Sequence, residues 1–253
     1  AQDRVLMGPA KVTHKYTEHE KEVVAYHEAG HAVVGIKLDG AHDVQKITII
    51  PRGQAGGYNL MLPKEETYLS TKKELLETIS GLLGGRVAEV LKFGEMTTGA
   101  HNDFEKATKI ARAMVTEYGM SSLGPVQFEQ QSEGSVFLGR DYNKSRNFSG
   151  QIAFQIDEEM RRIINEQYKV TEKIIKDNMD LLELIAKTLI EKETLTKEEI
   201  DSLVKTGALP KDDDISFEDM TIAELKKYAE ENNISISATK KEDIIKELKD
   251  ASK

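Results

Sequence analysis

His27 and His31 stand four residues apart, and Glu28 directly follows the first of them. On a helix, with 3.6 residues per turn, that spacing puts both imidazoles about 40° apart on one face, close enough to serve one partner. The flanking residues support a helix here. Thr17-Glu18-His19-Glu20 fits a capping box, with Thr17 as N-cap and Glu20 three residues on. A stripe of Val24, His27, His31, Val34 and Leu38 follows at spacings of three and four. Asp39-Gly40 closes the segment, Gly40 suiting a left-handed residue just past the C-cap. Gly30 sits inside this helix, where glycine costs about 1 kcal/mol against alanine. Close approach of a metal or of a neighbouring backbone would account for it.

Two imidazoles on one helix face can ligate one Zn2+ at roughly 2.0–2.1 Å. Glu28, one step round the helix, can then take a proton from an activated water and pass it to a leaving amine. A chain of this composition contains His-Glu-x-x-His by chance only about 0.02 times, so coincidence is a weak explanation. The alternative is a pair of ordinary core histidines, since both lie on the apolar stripe. Catalytic zinc takes three protein ligands and keeps a fourth position open. A histidine six residues beyond His31 would mark the metzincin extension, but position 37 is Lys. The downstream candidates are His42, Glu65, Glu66, Glu89, His101, Asp103 and Glu105, and spacing does not choose among them.

Composition removes other chemistries. The chain has no cysteine, which excludes thiolate nucleophiles, disulfides and Cys-type metal sites. The formal net charge is −9, unsuited to binding along a phosphate backbone. No Gly-x-x-x-x-Gly-Lys-Ser/Thr occurs in the 253 residues, so no P-loop is expected. No apolar run approaches the 18 residues of a membrane span, and the first residues lack the apolar stretch of a signal peptide.

The pattern predicts a mainly α fold with a small β-sheet. Strands are expected over 44–50 and 58–62, flanking turns at Pro51-Arg52-Gly53 and Gly56-Gly57. Helices are expected over 70–92, 103–118, 149–177, 178–191 and 196–205. Four parts follow: a linker over 1–16, a main domain over 17–209, a charged spacer over 210–215 and a small unit over 216–253. An exposed edge on the 44–50 strand would allow backbone pairing with an extended peptide; an ordinary packed hairpin is the competing reading.

Six segments occur in the order seen in FtsH-type proteases. They are His27-Glu-Ala-Gly-His31, Ile49-Ile-Pro-Arg-Gly53, Gly84-Gly-Arg-Val-Ala-Glu89, Thr98-Gly-Ala-His-Asn-Asp103, Tyr118-Gly-Met-Ser121 and Phe137-Leu-Gly139. From about Arg4 to about Leu209 the chain resembles the peptidase domain of these ATP-dependent zinc metalloproteases. The resemblance implies a mainly helical zinc endopeptidase that degrades unfolded or ATPase-delivered proteins. It implies His27, His31 and Asp103 as zinc ligands and Glu28 as catalytic base. Glu89 is then expected behind a ligating imidazole, accepting its N–H. Asp103 would open a helix, where a carboxylate is favoured by the helix dipole. The family pattern does not demand a histidine at His101, and Phe104 and Met120 read as core.

The resemblance also implies a homohexameric ring held at the cytoplasmic side of the bacterial inner membrane. ATP would act only through an ATPase module, and membrane contact only through an N-terminal part, neither of which is expected within these residues. Asp3-Arg-Val-Leu-Met-Gly-Pro9 resembles the tail of that ATPase module, so the chain is expected to be a fragment. Residues 216–253 resemble SAP- or Rho-N-terminal-like helix–extended–helix modules. Thr221 and the box Thr239-Lys-Lys-Glu242 would cap their helices. With a net charge of −4 over residues 211–253, nucleic acid is not the expected partner. A non-catalytic adaptor with idle histidines is the competing function, and the intact Glu28 speaks against it.

Overall fold

In the computed structural model, Thr17 Oγ1 accepts the N–H of Glu20 while Glu20 Oε2 accepts the N–H of Thr17 at 2.9 Å. This reciprocal cap starts α1 (Glu18–Lys37). The structure describes residues 16–38, 42–51, 56–63, 69–129, 148–210, 220–231, 234, 236, 238 and 240–251. Gly40, Thr239 and the Phe137-Leu-Gly139 motif lie outside the described residues. A second capping box, Thr71 with Glu74, opens α2 (Lys72–Phe93), which ends on Gly94 in the left-handed region at φ 70°. A short 3-10 turn (Thr98–Ala100) leads into α3 (His101–Thr116). Ser149 caps α4 (Gly150–Lys176), and α5 (Met179–Lys192) follows.

The small sheet joins β1 (His42–Thr48), β2 (Tyr58–Pro63) and β3 (Thr194–Thr196) in the order β2-β1-β3, all antiparallel. β3 was not expected from the sequence, and it bears on the two readings left open for the 44–50 strand. The 44–50 strand is paired at Lys46–Thr48 by β3; among the described residues β2 is an edge strand of the sheet.

The chain divides into two compact units, residues 1–197 and 198–253. In the first, α1 is the central helix, packed by α2, α4, α5 and β1. Ten consecutive residues, Ala25 to Val34, are therefore buried, where the sequence pattern predicted only a stripe. Ile79, Leu83, Met114, Ile156 and Ile163 form the core between α2, α3 and α4, with Phe104 and Met120 packed against it. In the second unit, after α6 (Lys197–Thr206), Leu225 and Ala229 of α7 (Ile222–Glu231) pack on Ile244 and Leu248 of α8 (Lys241–Ala251).

α1 and α2 cross backbone to backbone. A Cβ at Gly30 would stand 2.5 Å from the Gly84 carbonyl oxygen and 2.6 Å from Ala88 Cβ, and one at Gly84 would stand 2.7 Å from the Gly30 carbonyl oxygen. The mid-helix glycine expected to mark a close approach thus meets a neighbouring backbone.

The loop after α3 is tied down from α4. Glu159 Oε1 accepts the Ser122 N–H at 2.8 Å, and Arg162 donates to both Glu159 oxygens at 2.7 Å. Arg162 first, then the Ser122 N–H, hold the Glu159 carboxyl down to about 2 against its burial.

Two outcomes follow. Gly30→Ala should destabilise by about 1–3 kcal/mol, overpacking outweighing the helix propensity it gains. Gly81→Ala, where the added Cβ meets nothing within 4 Å, should instead be neutral or stabilising by up to about 1 kcal/mol in chemical denaturation. Glu159 contributes stability above its unfolded pKa of about 4.3, lost as pH falls toward the folded value. In acid denaturation, Glu159→Gln should therefore be less stable than wild type at neutral pH, with the gap closing below about pH 4.

Candidate metal centre

The crossing of α1 and α2 sets the histidines. His27 and His31 are 9% and 8% exposed. His27 Nδ1–H donates to Glu89 Oε1 at 2.6 Å, and His31 Nδ1–H donates to the Gly81 carbonyl at 2.7 Å. Both acceptors belong to α2. A Cβ at Gly85 would overlap the His27 ring at 2.5 Å, so the second glycine of the Gly84-Gly85 pair makes room for that imidazole. Glu89 is itself held by the Thr97 N–H at 2.9 Å and the Thr97 hydroxyl at 3.1 Å.

With each Nδ1 donating to an oxygen, each ring in its neutral form turns the lone pair of Nε2 inward. The two Nε2 atoms lie 3.0 Å apart, and Asp103 Oδ2 lies 3.4 Å from each. Three acceptors thus face one another, an arrangement that repels unless a cation lies among them. Tetrahedral ligands at 2.0–2.1 Å from zinc are about 3.3–3.4 Å apart, close to the spacing of these three atoms. The donor set of two imidazoles and one carboxylate also suits zinc.

The electrostatics favour positive charge at the same point, a proton on His27 that a bound cation would displace. Burial pushes the His27 imidazole down, but the carboxylates of Asp103 and Glu89 outweigh it and hold it up at about 10. Burial pushes the Asp103 carboxyl up, and the two imidazoles overcome this, holding it well below the usual carboxylate range. Glu89 is lowered in the same way: its hydrogen bond from His27 and those from Thr97 exceed the effect of burial. Glu28, 6% exposed, is raised by burial despite the histidines beside it.

These groups line a cleft of about 910 Å³ between α1, α2, β2 and the start of α3. Asp103 lies in the first turn of α3, near the partial positive charge of that helix N-terminus. His101 also lines the cleft but is exposed and outside the His27–His31–Asp103 group. Glu89 meets His27 through Nδ1, the nitrogen turned away from Asp103. Glu105 is engaged by Lys109 at 2.5 Å.

Residues 14–203 match Peptidase family M41. The chain belongs to this family. It is 54% identical over 236 residues to "ATP-dependent zinc metalloprotease FtsH" of Bacillus subtilis, covering 90% of this chain and 37% of that protein. Proteins of the same name from Acholeplasma laidlawii and Alkalihalophilus pseudofirmus are each 58% identical, over 209 and 211 residues. These alignments cover 83% of this chain and 32% and 31% of the relatives. The chain therefore spans about a third of the length of the relatives it matches. No helix among the described residues is long and apolar enough to cross a membrane.

Sequence reasoning missed several parts of this site. Asn59 Nδ2 donates to Glu28 Oε2 at 2.6 Å and to the Glu28 carbonyl at 2.9 Å. A Cβ at Gly57 would stand 2.8 Å from Glu28 Oε1, so glycine is needed there for space as well as for the turn. The Tyr16 hydroxyl donates to the neighbouring Gly56 carbonyl at 2.5 Å. The Gly56-Gly57 pair was the one visible signal. A lone asparagine in a strand carried none.

Proposed function

We propose that this chain is the proteolytic part of a zinc-dependent endopeptidase acting on unfolded polypeptide, with His27, His31 and Asp103 holding the metal and Glu28 as general base. The observation that carries the reading is the convergence of His27 Nε2, His31 Nε2 and Asp103 Oδ2 within 3.0–3.4 Å of one another. The names of the relatives support zinc and proteolysis.

Zinc, when bound, supplies a Lewis acid for the scissile carbonyl and lowers the pKa of a bound water. The remaining work belongs to the protein. Glu89 and the Gly81 carbonyl hold the imidazoles in the tautomer that leaves Nε2 free. Glu28 accepts a proton from the attacking water as its oxygen bonds to the carbonyl carbon. It returns that proton to the amide nitrogen as the C–N bond breaks. β2 stands at the sheet edge and lines the cleft with Tyr58, Asn59, Leu60 and Met61. Backbone pairing on that edge would read no side chain, which suits many unfolded sequences.

The relatives' name includes ATP dependence, and this sequence contains no P-loop motif. Unfolding force, the hexameric ring and attachment at the cytoplasmic face of a membrane belong, in this reading, to the longer protein. The net charge of −4 over residues 211–253 favours protein contact over nucleic acid for the small C-terminal unit.

Metal content and peptide cleavage test the assignment together. Glu28→Gln should keep about one zinc per chain and lose cleavage. Asp103→Asn should lose both. Glu89→Gln should weaken zinc affinity or rate about 10–100-fold, and His101→Ala should keep zinc and most activity. Zinc lost in His101→Ala but kept in Asp103→Asn would refute the ligand set, and a zinc-free wild type would favour the adaptor reading. Separately, the chain should cleave an unfolded protein at a rate indifferent to ATP and leave a stably folded reporter intact. ATP-stimulated degradation of the folded reporter would contradict this division of labour.

A further inference from the structure

We infer that Asn59 is a positioning residue for Glu28, a role that rests on Glu28 being the general base. The side-chain amide of Asn59 spends both its protons on one residue: Nδ2 reaches Glu28 Oε2 at 2.6 Å and the Glu28 main-chain oxygen at 2.9 Å. Holding the carboxylate and the backbone of the same residue at two points fixes the torsions between them. A free glutamate side chain would otherwise share its time among several rotamers. The amide cannot be reversed, because Oδ1 would then face two acceptors.

The arrangement is unfavourable for Asn59 itself. Its Oδ1 is buried with no hydrogen-bond partner, a state native proteins rarely tolerate without a reason. Asparagine is also a poor strand residue, yet it stands inside β2, opposite Ile47 of β1. A residue chosen for packing at this position would be apolar or β-branched. What asparagine adds is the clamp.

The clamp also distinguishes the two carboxylate oxygens. Oε2 is engaged by Asn59, and Oε1 lies against Gly57, where a Cβ would stand 2.8 Å away. Because Asn59 is on the edge strand that lines the cleft, the base is held by the same strand offered to a peptide. Asn59 lies outside the His27–His31–Asp103 group, and its side-chain amide reaches the site through Glu28.

The test uses the full chain with zinc and an unfolded peptide substrate. Asn59→Leu and Asn59→Asp should lower kcat about 10- to 100-fold, the range for losing a hydrogen bond to a charged group. KM should stay within about twofold and zinc at about one per chain. A readout without metal or activity comes from NMR of the metal-free chain, where the Asn59 side-chain amide resonances should move on Glu28→Gln. An Asn59→Leu protein that is folded, zinc-loaded and within about twofold of wild-type kcat overturns the proposal. If the Asn59 variants do not fold, an Asn59 amide indifferent to Glu28→Gln overturns it instead. An active Glu28→Gln enzyme would overturn the base assignment itself, a different result from an inactive one whose Asn59 amide is unmoved.

Discussion

The backbone contact between α1 and α2 at Gly30 and Gly84 is the constraint on which the rest depends. Side chains at either position would overpack the crossing and push the helices apart. With the helices in contact, the Gly81 carbonyl and the Glu89 carboxylate reach the two Nδ1 atoms, and Gly85 leaves space for the His27 ring. The histidines are therefore oriented by a neighbouring helix and not merely by their own spacing. A helix with His at i and i+4 can point its rings in many directions; this crossing selects the pair of rotamers in which both Nε2 atoms face Asp103.

The charge pattern follows from that geometry. Two inward lone pairs and a carboxylate oxygen cannot sit 3.0–3.4 Å apart in a buried pocket without a positive charge among them. The same carboxylates that raise His27 to about 10 supply the attraction for a cation. Glu28, beside this cluster and clamped from β2 by Asn59, lines the same cleft as the β2 edge strand.

The sequence made much of this legible, and the gaps have physical causes. The capping box at Thr17 and Glu20, and the helices α2 to α6, follow from local signals, and they formed within about two residues of the expected bounds. The strand β3 was missed because three residues between two helices carry no period of their own. The full burial of α1 was missed because a stripe records one packing face, whereas this helix meets neighbours on several. Asp103 was one of seven downstream candidates by chemistry. It is singled out only by the path of α3, or by resemblance to relatives, since spacing along the chain does not encode the fold between residues 31 and 103. Asn59 was invisible for the same reason: its partner lies 31 positions away, and a neutral amide leaves no pattern.

Diffraction from crystals grown with zinc, recorded on both sides of the zinc absorption edge, tests the account most directly. It predicts one anomalous peak in each chain, bonded to His27 Nε2, His31 Nε2 and Asp103 Oδ2 at about 2.0–2.2 Å, with Glu89 and the Gly81 carbonyl still on the two Nδ1 atoms. A peak elsewhere, coordination through Nδ1, or a site completed by Glu89 or His101 in place of Asp103 would contradict it.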